Sequence, residues 1–415
     1  MAATKPSGIT WIGDIPADWE MKKIKYISTL KGRIGWQGLT SEEYTDEGAY
    51  LITGTDFDNG GINWDTCVHV PMKRWEEAKD IQIENGDLLI TKDGTVGKVA
   101  IVDGLSSPCS LNSGVLRIST TNGYDRRFLY WVLQSEVFWT WFSNKNSGNS
   151  TILHLYQGDF AEFNYAIPPL TEQQAIAALL DGRCEQIDSI VADLERQVEI
   201  LRQYKKALIT ETVTKGLDKP ALMKVAGFDV ADEMPKHWLK TKVKYLCNMQ
   251  SGDAITSEEI TDYDEYPVFG GNGLRGYYSK YNTEGNYVLV GRQGALCGNV
   301  HMVDGKFWAS DHAIVTYPYA NVVNRFLYYL FIALNFNQYS ATAAQPGLAV
   351  ATIQRVSVAV PPIKDEQSAI VAYLDRKCAK TDGLIAEKQR AAEVMRQYKK
   401  SLIYEYVTGK KRVVS

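Results

Sequence analysis

The run TEQQAIAALLDGRCEQIDSIVADLERQVEILRQYKKALITETV, Thr171 to Val213, contains no proline and a single glycine, Gly182. Leu180, Ile187, Leu194, Leu201 and Leu208 recur every seven residues along it. Cys184, Val191 and Val198 stand three positions ahead of Ile187, Leu194 and Leu201, and charged or amide side chains fill most of the rest. An apolar seam at that period is the signature of a coiled-coil helix. Pro168 and Pro169 block a helix upstream, and Thr171 with Gln174 forms the pattern of a capping box at its start. At 1.5 Å per residue, about 40 residues make a rod of roughly 60 Å.

A second helix of this kind is expected from about Lys364 to Val407. Its seam is weaker: Leu374, Ile385, Met395 and Leu402 are apolar, while Thr381 and Lys388 interrupt the heptad. A lone helix cannot bury such a stripe. The economical arrangement packs the two long helices on each other, antiparallel, with a globular half at each end.

Working outward from the helices, the chain is written twice. Pro16-Ala17-Asp18-Trp19 leads into Lys23-Ile24-Lys25-Tyr26, and Pro235-Lys236-His237-Trp238 leads into Lys242-Val243-Lys244-Tyr245. Arg127-Phe128-Leu129-Tyr130 returns as Arg325-Phe326-Leu327-Tyr328. Pro168-Pro169 with Glu172-Gln173 returns as Pro361-Pro362 with Glu366-Gln367, and Gln203-Tyr204-Lys205-Lys206 returns as Gln397-Tyr398-Lys399-Lys400. Matches in the same order, about 200 residues apart, define a duplicated domain-plus-helix unit. The interiors of the two copies, about 29–85 and 248–284, barely match. A constant frame with divergent interiors suits one architecture directed at two different targets.

Within each copy, short apolar runs alternate with Gly, Asn and Asp turns. Leu88–Ile90, Val99–Val102, Val115–Ile118, Tyr287–Val290, Asn299–Val303 and Ala313–Val315 read as strands, and 126–135 and 325–334 as amphipathic helices. The fold class is therefore α+β: two pseudo-symmetric α/β domains separated by two long antiparallel coiled-coil helices. The boundaries expected are a first domain over 1–166, a central helix over 167–216, a second domain over 217–360 and a distal helix over 361–415.

With 415 residues and 45% hydrophobic composition, the chain can bury more than one core. No apolar run is long enough to span a bilayer and the start has no signal pattern, so a soluble, cytoplasmic protein without membrane association is expected. Six scattered cysteines form no C-x-x-C pair and read as buried free thiols, and five histidines show no metal spacing. Net charge is −4, so any basic face must coexist with acidic helices.

Taken together, the duplicated Pro-x-x-Trp lead-ins, the Pro-Pro-x-x-Glu-Gln helix starts and the Gln-Tyr-Lys-Lys helix ends resemble the specificity subunits of Type I restriction-modification enzymes. The second copy adds Gly270-Gly271-Asn272-Gly273, Gly291-Arg292-Gln293-Gly294 and Asp311-His312-Ala313. The first copy carries looser versions, Thr91-Lys92-Asp93-Gly94 and Leu111-Asn112-Ser113-Gly114. The resemblance covers nearly the whole chain. It implies two target-recognition domains, each reading one half of a split site in double-stranded DNA. It also implies helices that set the spacer and dock two methyltransferase subunits. Those subunits bind S-adenosylmethionine and methylate adenine at N6, and motor-nuclease subunits complete the restriction assembly. On the helices, the residues assigned to partner binding are Leu180, Ile187, Leu194, Leu201, Leu208, Leu374, Ile385, Met395 and Leu402.

Catalytic signals are missing from the sequence. Neither Pro-Pro pair follows an Asn or Asp, as a methyltransferase loop would require, and no G-x-x-x-x-G-K-[ST] loop is present. Asp18, Glu20 and Lys22 could imitate a nuclease triad, but the second copy has Leu239 and Lys240 where carboxylates should stand. No catalytic residue, metal or resident cofactor is assigned.

Base edges in the major groove are read by Arg, Lys, Asn, Gln, Asp, Ser or Thr on loops that can approach them. In the first half the candidates are Arg33, Gln37, Lys92, Asp93, Thr95, Asn149 and Ser150. In the second half they are Asn272, Arg275, Arg292, Gln293, His312 and Gln345, the last on a loop, 343–347, matching Ser147–Ser150. Lys205-Lys206 and Lys399-Lys400 read as charges on a solvated face, and Lys410-Lys411-Arg412 as a loose or phosphate-touching end.

Overall fold

The computed structural model describes residues 3–33, 39–146, 153–218, 220–228, 231–294, 296–340 and 347–413. It divides into two compact units, one of Met1–Asp193 with Ala391–Ser415, the other of Leu194–Arg390. The helices Leu170–Lys215 and Lys364–Val407 each contribute to both.

Unit 1 is built on a four-stranded antiparallel sheet in the order Val99–Ile101, Leu88–Thr91, Val115–Thr120, Ser28–Gly32. Leu88–Thr91 is buried on both faces, which is why it reads as an unbroken apolar run instead of an alternation. A three-stranded sheet, Cys109–Leu111, Ala49–Ile52 and Val68–Val70, lies in the divergent interior. Its first two strands pair in parallel, Leu111 opposite Ile52. The helices Arg126–Gln134 and Glu136–Asn146 bury Phe128, Leu129, Phe138 and Phe142 in the main core.

Unit 2 repeats the plan. Its four-stranded sheet runs Cys247–Ser251, Ala313–Pro318, Tyr287–Gly291, Val300–Val303, the same order of equivalent strands. Its second sheet again holds one parallel pair, Tyr266–Gly270 with Lys306–Ala309, Phe269 opposite Ala309. The helix Asn324–Leu334 packs as its counterpart does.

In each unit the two long helices run antiparallel. In unit 1, Leu180, Cys184 and Ile187 share a core with Leu402, Ile403 and Val407. In unit 2, Leu208, Ile209 and Val213 share a core with Ile370, Leu374 and Cys378. The first helix begins at Leu170, so Thr171 lies inside its first turn and does not cap it. The Pro169 carbonyl accepts the amides of Glu172 and Gln173 instead. Both helices are closed by a glycine in the left-handed region, Gly216 at φ +74° and Gly409 at φ +71°.

The repeated motifs are partners of one another. The Trp19 indole donates to Glu172 (3.1 Å) and the Trp238 indole to Glu366 (2.8 Å). Gln173 accepts from the Asp125 amide and donates to the Pro168 carbonyl, and Gln367 does the same with Val323 and Pro361. Arg127 pairs with Asp181 and Arg325 with Asp375, both at 2.7 Å. These side chains tie each domain to the start of its helix.

The six cysteines are free and buried, and burial pushes the thiols of Cys67 and Cys247 up to about 12. The basic tail differs from its expected form. Lys410 donates to the Asp14 carbonyl, Lys411 pairs with Glu405, and Arg412 grips both Asp18 (2.7 Å) and Glu172 (2.6 Å). Carboxylates are available there at hydrogen-bond distance, so the end is fastened to unit 1.

Candidate nucleic-acid interface

In unit 2 three turns converge. A Cβ on Gly291 would lie 2.1 Å from the Gly271 carbonyl oxygen, and one on Gly271 would lie 2.8 Å from that of Gln293. Backbone here presses on backbone, which only glycine permits. The Arg292 amide donates to the His312 carbonyl (2.8 Å), the Ser310 amide to Phe269 (2.9 Å) and the Leu348 amide to Arg292 (2.8 Å). This frame brings Asn272, Arg292, Gln293, Asp311 and His312 together. Asn272 and Gln293 are exposed; Arg292 and His312 are half-buried. The Arg292 guanidinium donates to the Asp311 carbonyl (3.4 Å), and the Asn272 amide oxygen accepts from Asn299 (3.1 Å). Arg275 is exposed and folds over Gly270.

Unit 1 holds the same frame with other side chains. The Lys92 amide donates to the Gly114 carbonyl (2.8 Å), the Asn112 amide to Ile52 (2.9 Å) and the Leu155 amide to Lys92 (2.9 Å). Bond for bond, Lys92 corresponds to Arg292, Asn112–Gly114 to Ser310–His312, and Leu155 to Leu348. The cluster collects Lys92, Asp93 and Thr95 with the turn Thr53–Thr55, whose Gly54 carbonyl accepts from the Thr95 hydroxyl (3.4 Å). His154 joins it with its ring Nδ1 against the Asp93 carboxylate.

Several expected residues fall elsewhere. Arg33 is buried, and its guanidinium donates to the Leu111 carbonyl (2.7 Å) and the Ser110 hydroxyl (3.1 Å). Those bonds make it a brace under the three-stranded sheet, and it leaves the set of base-reading candidates. Gln37, Asn149, Ser150 and Gln345 lie outside the described residues. The seam residues assigned to partners are turned inward: Leu180, Ile187, Leu208, Leu374 and Leu402 are core, and Leu194, Leu201, Ile385 and Met395 are half-buried. Full burial is worth about 1.5–3 kcal/mol per side chain, so the five core residues do not remain free for another protein.

The cluster also contains residues that the candidate set lacks: Thr53, Thr55, Asn112, Ser113 and His154. A signal for His154 existed, because Leu155 and Leu348 both stand thirteen positions before a Pro-Pro pair. Among the described residues, no three His, Cys, Asp or Glu side chains are grouped to hold a metal ion, and no helix is long and apolar enough to cross a membrane.

Two units built on one frame, each presenting a different set of polar side chains on glycine-rich turns, define the class of duplicated recognition proteins. The Type I restriction modification DNA specificity domain family matches residues 16–200 and 235–394. A specificity subunit of *Methanocaldococcus jannaschii*, of the enzyme MjaVIII, is 23% identical over 96% of this chain and 94% of its own. The EcoprrI specificity subunit of *Escherichia coli* is 40% identical over 135 residues, 32% of this chain and 33% of its own. Among solved structures, a chain from a study of assembly and conformational transition in the type I R-M system superposes with a TM-score of 0.73 at 15% identity, covering 96% of this chain and 99% of the other. The chain belongs to the family of Type I restriction-modification specificity subunits, whose role is DNA sequence recognition.

Proposed function

We propose that each unit reads one half of a bipartite DNA site through its three-turn cluster, and that the chain itself catalyses nothing. The observation that carries this is the repeated backbone frame: identical hydrogen bonds present Lys92, Asp93 and His154 in one unit and Arg292, Gln293 and His312 in the other. Constant backbone with exchanged side chains is what direct readout of two different half-sites demands. The long helices, shared by both units, set the gap between the half-sites and dock methyltransferase subunits that carry S-adenosylmethionine and methylate adenine N6. Restriction follows when motor-nuclease subunits join.

The docking surface on the helices is their outward side. Unit 1 exposes Ile190, Val394 and Tyr398; unit 2 exposes Leu384, Ile200 and Tyr204 at the equivalent repeat positions. Exposed apolar groups duplicated in register fit two copies of one protein.

Co-expression with the cognate methyltransferase subunit, followed by mapping of methylated adenines in host DNA, tests the reading. It predicts a split motif with a fixed gap. A stable complex that leaves the DNA unmethylated at any such motif would favour a protein-binding scaffold.

A further inference from the structure

The two units differ in charge at one equivalent place. The strand leading into each domain, Glu20–Lys23 or Leu239–Lys242, pairs with the strand that precedes a Pro-Pro pair. Just beyond it, the Ile24 amide donates to the Phe163 carbonyl (2.8 Å) in unit 1 and the Val243 amide to the Val356 carbonyl (3.1 Å) in unit 2. The residue before each acceptor therefore occupies one position in both units. In unit 1 it is Glu162. In unit 2 it is Arg355.

Glu162 accepts hydrogen bonds from both Lys23 (2.7 Å) and Lys25, and these two ammonium groups hold its carboxyl down at about 2. The equivalent lysines of unit 2 are Lys242 and Lys244, and the residue standing in the place of Glu162 is an arginine. All three cations are exposed, and among the described residues none has a carboxylate partner. Beside them an exposed tyrosine repeats in both units: Lys25 stacks over Tyr26 at 5.2 Å and Lys244 over Tyr245 at 4.7 Å.

In unit 1 the equivalent side chains converge, since Lys23 and Lys25 both reach Glu162; three like charges at those places in unit 2 repel one another, and a polyanion relieves that repulsion. Their position identifies which one. Arg355 ends the short helix Val350–Arg355, and that helix follows Leu348, whose amide is bonded to Arg292 of the recognition cluster. Seven residues, mostly helical, span on the order of 15 Å. On a DNA strand that is about four to five steps of 3.4 Å. We infer that Lys242, Lys244 and Arg355 grip the sugar-phosphate backbone flanking the half-site read by unit 2, while Glu162 withholds Lys23 and Lys25 from that task in unit 1. The inference rests on the DNA-reading role proposed above. It makes the two recognition units unequal: the second supplies more of the salt-dependent affinity, and the first relies more on its base contacts.

The test uses the full chain in complex with its methyltransferase subunit and a duplex carrying the mapped motif, titrated across a series of salt concentrations. Each lost phosphate contact lowers the slope of log K against log[salt] by about 0.9. The triple variant Lys242→Ala, Lys244→Ala, Arg355→Glu is expected to lose about 2–3 from that slope, with the ratio of matched to mismatched binding unchanged. The single variant Glu162→Arg is expected to steepen the slope, because it frees two lysines. A triple variant that keeps the wild-type slope overturns the inference, and so does one that keeps the slope but sheds the methyltransferase subunit, which would assign the cations to an acidic protein surface. Failure of the wild-type complex to prefer its motif would strike the DNA-reading role itself and is distinguishable from both.

Discussion

The Asp188 carboxylate and the Lys399 ammonium meet at 2.6 Å, one from each long helix. In unit 2 the same bond is made with the helices exchanged, Lys205 to Asp382 at 2.7 Å. The offset from Asp188 to Asp382 equals that from Lys205 to Lys399, so the repeat in sequence is a repeat of contacts. It also explains the duplicated Gln-Tyr-Lys-Lys ends, whose first lysine is the one engaged in both units.

These pairs are more than a quarter exposed on the lysine side and more than half on the acid side, so each is worth about 0.2–1 kcal/mol. Asp188→Lys alone is expected to destabilise unit 1 through like-charge repulsion, and adding Lys399→Asp is expected to restore it. A double-mutant cycle in urea measures the coupling. A coupling of zero would mean that packing alone sets the helix register.

The inward seam and the outward apolar groups separate two kinds of defect. Leu180→Ala and Leu374→Ala remove fully buried side chains and should each cost about 2–5 kcal/mol of stability. Val394→Asp with Tyr398→Asp changes exposed positions, so the melting temperature should hold while the bound methyltransferase falls from two copies to one by native mass spectrometry. Retention of both copies would place the docking surface elsewhere.

Much of this architecture was legible because short-range patterns carried it. The heptad marked the first helix and a weaker stripe the second, and the duplicated motifs marked residues that prove to bond to one another, Trp19 with Glu172 and Trp238 with Glu366; Asp181, the partner of Arg127, carried no such mark. The candidate cluster was half legible. Lys92, Asp93 and Arg292 stood out as polar groups beside glycine, whereas Thr53 and His154 are delivered by contacts across long stretches of chain, including the parallel pairing of Ile52 with Leu111. Arg33 misled for the converse reason: a polar residue after a strand signals exposure until the partner carbonyl, 78 positions away, is known. The heptad likewise reports that a stripe is buried, not whether the burying partner is the same chain.

The fastening of the C-terminal tail should depend on pH. The Arg412 guanidinium, by its hydrogen bonds, holds the Asp18 carboxyl below the usual carboxylate range. A carboxylate depressed on folding contributes stability that is present above its unfolded pKa, near 3.8, and is lost as pH falls through the lower folded value. The melting temperatures of wild type and Asp18→Asn should therefore differ at neutral pH and converge as the solution is acidified below that range. A difference that persists undiminished in acid would mean the pair adds nothing through its charge.

The base-reading assignment is testable one half-site at a time. Arg292 is held by its own backbone bonds to His312 and Leu348, so truncating its side chain leaves the frame standing. If it donates to a guanine edge, Arg292→Ala should cost about 1–3 kcal/mol of discrimination at one base and relax the methylated motif there alone. His154→Ala, acting through Asp93, should relax the other half-site and leave the first intact. Gly291→Ala is the structural contrast: its Cβ would strike the Gly271 carbonyl at 2.1 Å, so the unit 2 cluster as a whole should fail while the unit 1 half-site stays readable. Sequencing the methylomes of the three variants decides among these patterns. Equal loss at every position of both half-sites for Arg292→Ala would remove it from base reading and leave it a contact to phosphate.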